Sequence, residues 1–160
     1  MISLDPQWGN NFLDCNALDR TEAIEDAAMD EILSLHQLPD TFTLLLPYSV
    51  KAEIEHPSAP AEKKRKAMAF LYSMEVSLTP PELATRERLR IMIQGNAKSG
   101  RHHSDAFHLV ESAKYGGRYF ITKDRRLLKK APEICAALRL LVVRPSEFLS
   151  AYRLHSSAAL

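Results

Sequence analysis

The stretch YFITKDRRLLKK, Tyr119 to Lys130, sets the reading of the whole chain. Tyr119, Phe120 and Ile121 form the compact apolar run that a buried strand needs. Asp124 follows, and the chain then turns basic through Arg125, Arg126, Lys129 and Lys130. A carboxylate between a buried strand and a cationic helix has two readings. It caps the helix that follows, or it belongs to a site that brings acids beside a polyanion.

Working outward, the same alternation recurs. Phe12-Leu13 reads as the end of a short strand, leading into Asp14. Asp19 and Glu22 have capping-box spacing and open an amphipathic helix with Ile24, Ala28, Ile32 and Leu35 as its expected inner face. Phe42 to Leu46 is a second strand. Pro47 ends it, and Ser49 is expected to cap a helix reaching His56. A helix with a basic front begins at Ala61, and Val76 to Leu78 is expected as a short strand. Thr79 and Glu82 form another capping box, with Pro80 welcome at the first helical position. The basic helix that follows carries Arg86, Arg88 and Arg90. Ser104 is expected to cap a helix to Lys114, closed by Gly116-Gly117. After the opening stretch, Leu138 to Val143 reads as a strand, and Pro145 starts a last short helix.

Strands that are short apolar runs, separated by helices, predict an α/β protein. The expected architecture is a three-layer α/β/α sandwich with a mostly parallel central sheet. The 160 residues suit one domain. It is taken as residues 1–150, with 151–160 as a C-terminal tail whose HSSAAL end is expected to fray.

Composition narrows the class. A net charge of +1 neither supports nor excludes a nucleic-acid partner, because patches matter more than totals. Cys15 and Cys135 belong to no C-x-x-C pair and read as reduced thiols. The N-terminal residues lack the pattern of a signal peptide. No apolar run approaches the roughly 20 residues a membrane span needs. A cytoplasmic protein without a membrane partner is the expectation.

The acids fall where a parallel sheet forms sites, outside the carboxyl ends of its strands. Asp14 and Asp124 each follow a strand. Glu53 lies one turn into the helix after the second strand, and Asp105 lies in the first turn of another. Clustered carboxylates repel and raise some of their own pKa values. A hard cation such as Mg²⁺ removes that conflict and prefers oxygen ligands. Singly, each acid also has a bland reading: Asp124 as an N-cap, Asp105 as a helix-dipole partner, Asp14 as a turn cap, Glu53 as a solvated helix acid.

FLDCNAL at Phe12 to Leu18 resembles the opening motif of PIN-domain nucleases. PYSVKAEIEH is similar to their second motif, and HSDAFHLVESAKYGGRYFITKDRRLL to their third and fourth. The resemblance runs from Phe12 to about Phe148. It implies a Mg²⁺- or Mn²⁺-dependent endoribonuclease in which Asp14, Glu53, Asp105 and Asp124 are catalytic and hold the metal. It further implies that Asn16 orients Asp14, that Thr122 supports the Asp124 corner, and that cleavage leaves a 5′-phosphate and a 3′-hydroxyl. Cys15 stands where the family usually has Thr or Ser, so one hydrogen bond near the metal is expected to be missing.

Arg101, Arg125 and Arg126 are the candidate RNA-binding cations. The run Glu62 to Lys66 reads first as a solvated face. His102, His103 and His108 read as loop, packing or surface residues, and Trp8 as an anchor for the N-terminal segment. Tyr48 and Trp8 also offer faces for a base. The acidic first helix is expected to face away from an RNA groove or to meet a basic partner. The size fits the small toxin ribonucleases (VapC-like), which implies an antitoxin and a homodimer as partners. Two alternatives remain: a housekeeping RNA-processing nuclease, or a non-cleaving PIN-like module that binds RNA or protein. Phosphatase or dehalogenase chemistry is disfavoured because Asn16 stands where a second Asp is wanted. Dinucleotide binding is disfavoured because no G-x-G-x-x-G follows a strand.

Overall fold

Five short apolar segments become the strands of one sheet: β1 (Asn10–Leu13), β2 (Thr43–Leu46), β3 (Leu71–Tyr72), β4 (Gly117–Ile121) and β5 (Leu141–Val143). The computed structural model, which describes residues 3–97 and 103–158, orders them β3-β2-β1-β4-β5. Every pairing is parallel. Parallel strands require crossovers, and the crossovers here supply the helices. On one face lie α1 (Ala23–His36), α2 (Lys51–Ile54), α3 (Ala61–Ala67) and α8 (Pro145–Ala158). On the other lie α4 (Pro80–Gln94), α5 (His103–Lys114), α6 (Arg125–Lys129) and α7 (Ala131–Leu138). The expected three-layer α/β/α sandwich is therefore the observed one, with an all-parallel sheet.

The strands are apolar throughout because both faces are covered. Leu13, Tyr119 and Ile121 enter the α1 side, while Phe12 and Phe120 enter the α5 side. The topology also reverses at the centre. From β1 the chain steps outward to β2 and β3, then crosses to the other side for β4 and β5. By the general rule for parallel sheets, that reversal marks the region between the carboxyl ends of β1 and β4, called the crevice below, as the place for a site.

Several local expectations are corrected. The third strand is Leu71–Tyr72, not Val76 to Leu78. Leu45 and Leu46 of β2 pair with Leu71 and Tyr72, and Ser73 N–H closes the pairing on Leu46 O at 2.8 Å. The capping box at Asp19 does not form. Helix α1 begins at Ala23 with Glu22 as an N-cap whose side chain makes no capping hydrogen bond, and Asp19 instead pairs with Lys63 at 2.9 Å. The inner face of α1 is Glu25, Ala28, Met29 and Ile32, which leaves Ile24 76% exposed. Ser49 caps nothing, because the chain makes a 3-10 turn (Tyr48–Val50) before the short α2. The capping box at Thr79 and Glu82 forms as expected, with Thr79 N–H on Glu82 Oε2 at 2.7 Å.

The C-terminal segment also departs from expectation. Helix α8 continues through Ala158, so residues expected to fray are helical up to that point. Tyr152 packs edge-on against Phe42 at 4.9 Å, and Arg153 pairs with Glu31 at 2.6 Å. Trp8 is exposed and does not anchor the N-terminal segment. Both cysteines are free thiols. Among the described residues, no helix is long and apolar enough to cross a membrane.

Phe148 ties this fold together on the α8 side. It is fully buried and meets Phe42 and Tyr119 edge-to-face at 5.1 and 5.3 Å. Phe148→Ala is expected to lower unfolding free energy by about 3–5 kcal/mol in urea denaturation. A loss under about 1 kcal/mol would show that the β4–α8 packing contributes little to stability.

Candidate functional site at the carboxyl edge of the sheet

A side-chain hydrogen bond joins the ends of the two central strands. Asp14 follows β1 and is only 5% exposed. Its Oδ1 accepts from the Cys15 N–H at 2.8 Å, and its Oδ2 accepts from the Thr122 hydroxyl at 2.7 Å. Thr122 follows β4 and is fully buried. The same hydroxyl accepts from the Asp124 N–H at 3.0 Å. Asn16 Oδ1 lies 3.1 Å from that hydroxyl and accepts from the Lys123 N–H at 3.0 Å. A hydroxyl has one proton to give, and the shorter contact assigns it to Asp14. Asn16, expected to orient Asp14 directly, thus acts one step removed, through the Thr122-Lys123 turn. Thr122 meets the Asp124 corner through the Asp124 N–H.

Asp124 is the helix cap that one reading of the sequence gave it. Its Oδ1 accepts from the N–H groups of Arg126 at 2.7 Å and Leu127 at 3.4 Å, closing the start of α6. Among the described residues, no hydrogen bond reaches its Oδ2, so the cap leaves one oxygen for other use.

Glu53 and Asp105 come from helices. Glu53 on α2 accepts from His108 Nε2 at 2.8 Å. His108 on α5 is 2% exposed, and its Nδ1 lies 2.6 Å from Ser49 Oγ. The ring is therefore fixed at both nitrogens. The Ser49 N–H in turn bonds Glu111 Oε2 at 3.0 Å. Asp105 sits three residues before His108, on the same face of α5, and its charge acts on both Asp14 and His108. His108 was not among the expected site residues. Its spacing from Asp105 is the one sequence signal that pointed to it.

The electrostatics follow from burial. Asp14 is pushed from its ordinary 3.8 up to about 6, chiefly by burial and further by Asp105 and Glu53. His108 and the Thr122 hydroxyl oppose that rise without cancelling it. Glu53 is held below its usual range, first by the His108 hydrogen bond. Burial works against a charged His108, but the Glu53 bond and the charges of Asp14, Glu53 and Asp105 outweigh it and raise the imidazole. Burial lifts the Cys15 thiol to about 11, which removes it as a nucleophile.

The donor set fits a hard divalent cation in kind. It offers carboxylate oxygens, and a buried anion whose charge a cation would relieve. As the side chains stand, no three His, Cys, Asp or Glu among the described residues converge on one point. Glu53 Oε1 is engaged by His108 and Asp124 Oδ1 by α6. This arrangement suits a cation held by one or two carboxylates and water, the common mode for Mg²⁺.

The cations around the acids are largely neutralised from within. Lys123 Nζ pairs with Asp26 at 2.7 Å, and Arg125 with Glu22 at 3.4 Å. Both acids belong to the start of α1. This helix meets the basic stretch of its own chain. Arg125 is highly exposed, and such a pair contributes about 0–1 kcal/mol, so it remains available to a phosphate. Arg126 Nη1 reaches Gln94 O at 3.5 Å. Arg101 and His102 lie outside the described residues.

The raised Asp14 predicts a definite pH dependence. A carboxyl that binds its proton more tightly when folded favours the folded state at low pH, and that contribution is lost as pH rises from about 4 through about 6. Asp14→Asn has no such loss. The melting temperature of Asp14→Asn minus that of the wild type is therefore expected to grow between pH 4 and 6 and to level off above. A flat difference across thermal melts in that range would show that Asp14 ionises without cost.

Comparison with known proteins adds no relative: no family model matches the chain, and neither a curated protein nor a solved structure matches it. The resemblance to PIN-domain nucleases rests on the residues of the motifs themselves.

Proposed function

We propose that the chain is a Mg²⁺- or Mn²⁺-dependent endoribonuclease of PIN type that works at this crevice. The observation that carries the reading is Asp14. It is a buried carboxylate at the reversal of the sheet, tied by Thr122 to the turn that ends in Asp124, with its charge made costly by burial and by Asp105 and Glu53. Asp14 and Asp124 are the first candidates to hold the cation, with Asp105 and Glu53 completing the acidic rim. When bound, such a cation activates a water and offsets charge on the phosphodiester.

The chain's own residues would divide the remaining work. Thr122 holds Asp14 and receives the Asp124 N–H, fixing two acids from one hydroxyl. His108 holds Glu53 at the rim. Arg125 and Arg126 border Asp124 and would meet the phosphate backbone. The toxin role, with an antitoxin, a homodimer and a cytoplasmic setting, is the finer form of this proposal.

One observation favours a second reading, a module that binds RNA without cutting it. Glu53 is already engaged by His108, and Asp124 by its helix.

Incubation with mixed tRNA and ribosomal RNA in Mn²⁺ or Mg²⁺ separates the two. Cleavage is expected, lost in EDTA and lost in Asp14→Asn and Asp105→Asn. Thr122→Val should retain folding and reduce cleavage about 10–100-fold, the usual cost of removing a group that orients a ligand. RNA binding without cleavage in any of these metals would establish the binding module instead.

Metal binding has its own readout. Mg²⁺ at a hundred times its dissociation constant is expected to stabilise the wild type by about 2.7 kcal/mol. Asp14→Asn should gain little. Equal stabilisation of both would place the cation away from Asp14.

A further inference from the structure

Two tyrosines and a lysine occupy the same edge of the sheet, on the β2–β3 side of the acids. Leu46 and Tyr72 are register partners in β2 and β3, so Tyr72 ends β3 where β2 ends. Tyr48 lies two residues beyond β2, in the 3-10 turn, and is 36% exposed. Lys51 opens α2, the helix that also carries Glu53. Its ammonium lies 6.0 Å from the Tyr48 ring centroid and 5.9 Å from the Tyr72 centroid. One cation thus serves two aromatic faces at the outer limit of a cation–π contact. Among the described residues it has one ion pair, a loose one with Glu55 at 3.8 Å.

The cluster is built on fixed backbone. The Tyr48 N–H donates to Ser73 Oγ at 3.1 Å, and the Ser73 N–H donates to Leu46 O at 2.8 Å. Ser73 is itself buried. The turn that presents Tyr48 is therefore pinned to the end of the strand that presents Tyr72. Partly exposed rings on a rigid edge, with a cation between them, have the composition of a stacking platform for single-stranded nucleic acid.

Strand order gives the platform its place. Along the carboxyl edge the sequence of features is Tyr72 at β3, Tyr48 at β2, Asp14 at β1, and Thr122 with Asp124 at β4. Three strand spacings separate the ends of this row, about 14 Å. A strand lying across the edge would put phosphate beside the acids and a nearby base against the tyrosines. Duplex does not offer an unstacked face, so the ligand is single-stranded.

We propose that Tyr48, Lys51 and Tyr72 form a subsite that stacks a nucleobase of single-stranded RNA next to the phosphate held at the acidic crevice. The inference rests on the nuclease reading for RNA as the polymer and for the place of the phosphate. Stacking supplies affinity with little sequence preference, because every base has a π face. Lys51 adds a contact to the backbone that salt would weaken.

The test is fluorescence anisotropy in EDTA at fixed low salt, with two labelled probes of equal length. One is a mixed-sequence single-stranded RNA; the other carries stable abasic sugars throughout, keeping the phosphates and removing the bases. The wild type is expected to bind the RNA at least about tenfold more tightly than the abasic probe. Tyr48→Leu should weaken RNA binding about tenfold and leave abasic binding unchanged. Tyr48→Phe should restore the preference, and Tyr72→Leu, checked for an unchanged melting temperature, should lose it. A wild type that binds neither probe, or binds both equally, overturns the proposal. So does a Tyr48→Leu variant that retains the preference. Cleavage assayed in parallel separates the two ideas. Base-dependent binding without cleavage sinks only the nuclease reading, and cleavage without base-dependent binding sinks only the platform.

Discussion

The contact between the Thr122 hydroxyl and Asp14 Oδ2 is the constraint on which the crevice depends. It spans the one place where the sheet changes direction. Leu13 pairs with Ile121, the Asp14 N–H continues that pairing onto Ile121 O at 2.9 Å, and the Thr122 N–H reaches Val143 O at 3.0 Å. The ends of β1, β4 and β5 are thereby locked in register before any side chain is considered. Thr122 then uses its hydroxyl in both directions, donating to Asp14 and accepting from Asp124. A residue without that hydroxyl would leave Asp14 Oδ2 unpaired in a buried place, where a lost partner costs about 1–3 kcal/mol.

Charge is arranged on a longer scale by α1. Glu25 points inward, is buried, and accepts from the Ser146 N–H and hydroxyl at 2.9 and 2.8 Å, which anchors the start of α8. Asp26 takes Lys123, Glu22 takes Arg125, Asp30 takes Arg20 and Glu31 takes Arg153. The helix that composition marks as repellent to RNA is in large part an internal counterion set. The near-zero net charge of the chain therefore describes this pairing and says little about the field at the carboxyl edge.

The layer architecture was legible because its signal is local. Short apolar runs separated by amphipathic stretches have few other solutions, and Thr79-Pro80-Glu82 marks a helix start by chemistry that acts within one turn. Other features depend on partners distant in sequence. Asp19 has ideal capping spacing, yet Lys63 on α3 claims its carboxylate. Ser49 has an ideal position before a helix, yet His108 claims its hydroxyl. β3 is a strand because β2 offers it an edge at Leu45 and Leu46, which two residues of sequence cannot announce. Asp14 and Asp124 were legible as acids at strand ends, and Asp124 as a cap, but the partner of Glu53 was not. That Glu53 meets a histidine follows from α2 and α5, on opposite faces of the sheet, both reaching its carboxyl edge.

Asp14 itself poses the sharpest physical question. Its two hydrogen bonds come from a backbone N–H and a hydroxyl. An asparagine could accept the first with its carbonyl and give the second an amide N–H, with the hydroxyl turned to accept. Packing, register and hydrogen bonding are thus satisfied by a neutral side chain of the same size. The carboxylate adds only a charge, placed where burial and two neighbouring acids oppose it. Among the described residues, His108 and the Thr122 hydroxyl favour that charge without offsetting its burial. A carboxylate whose charge is opposed by burial, at the reversal of a parallel sheet, is the feature on which the proposed cation site rests.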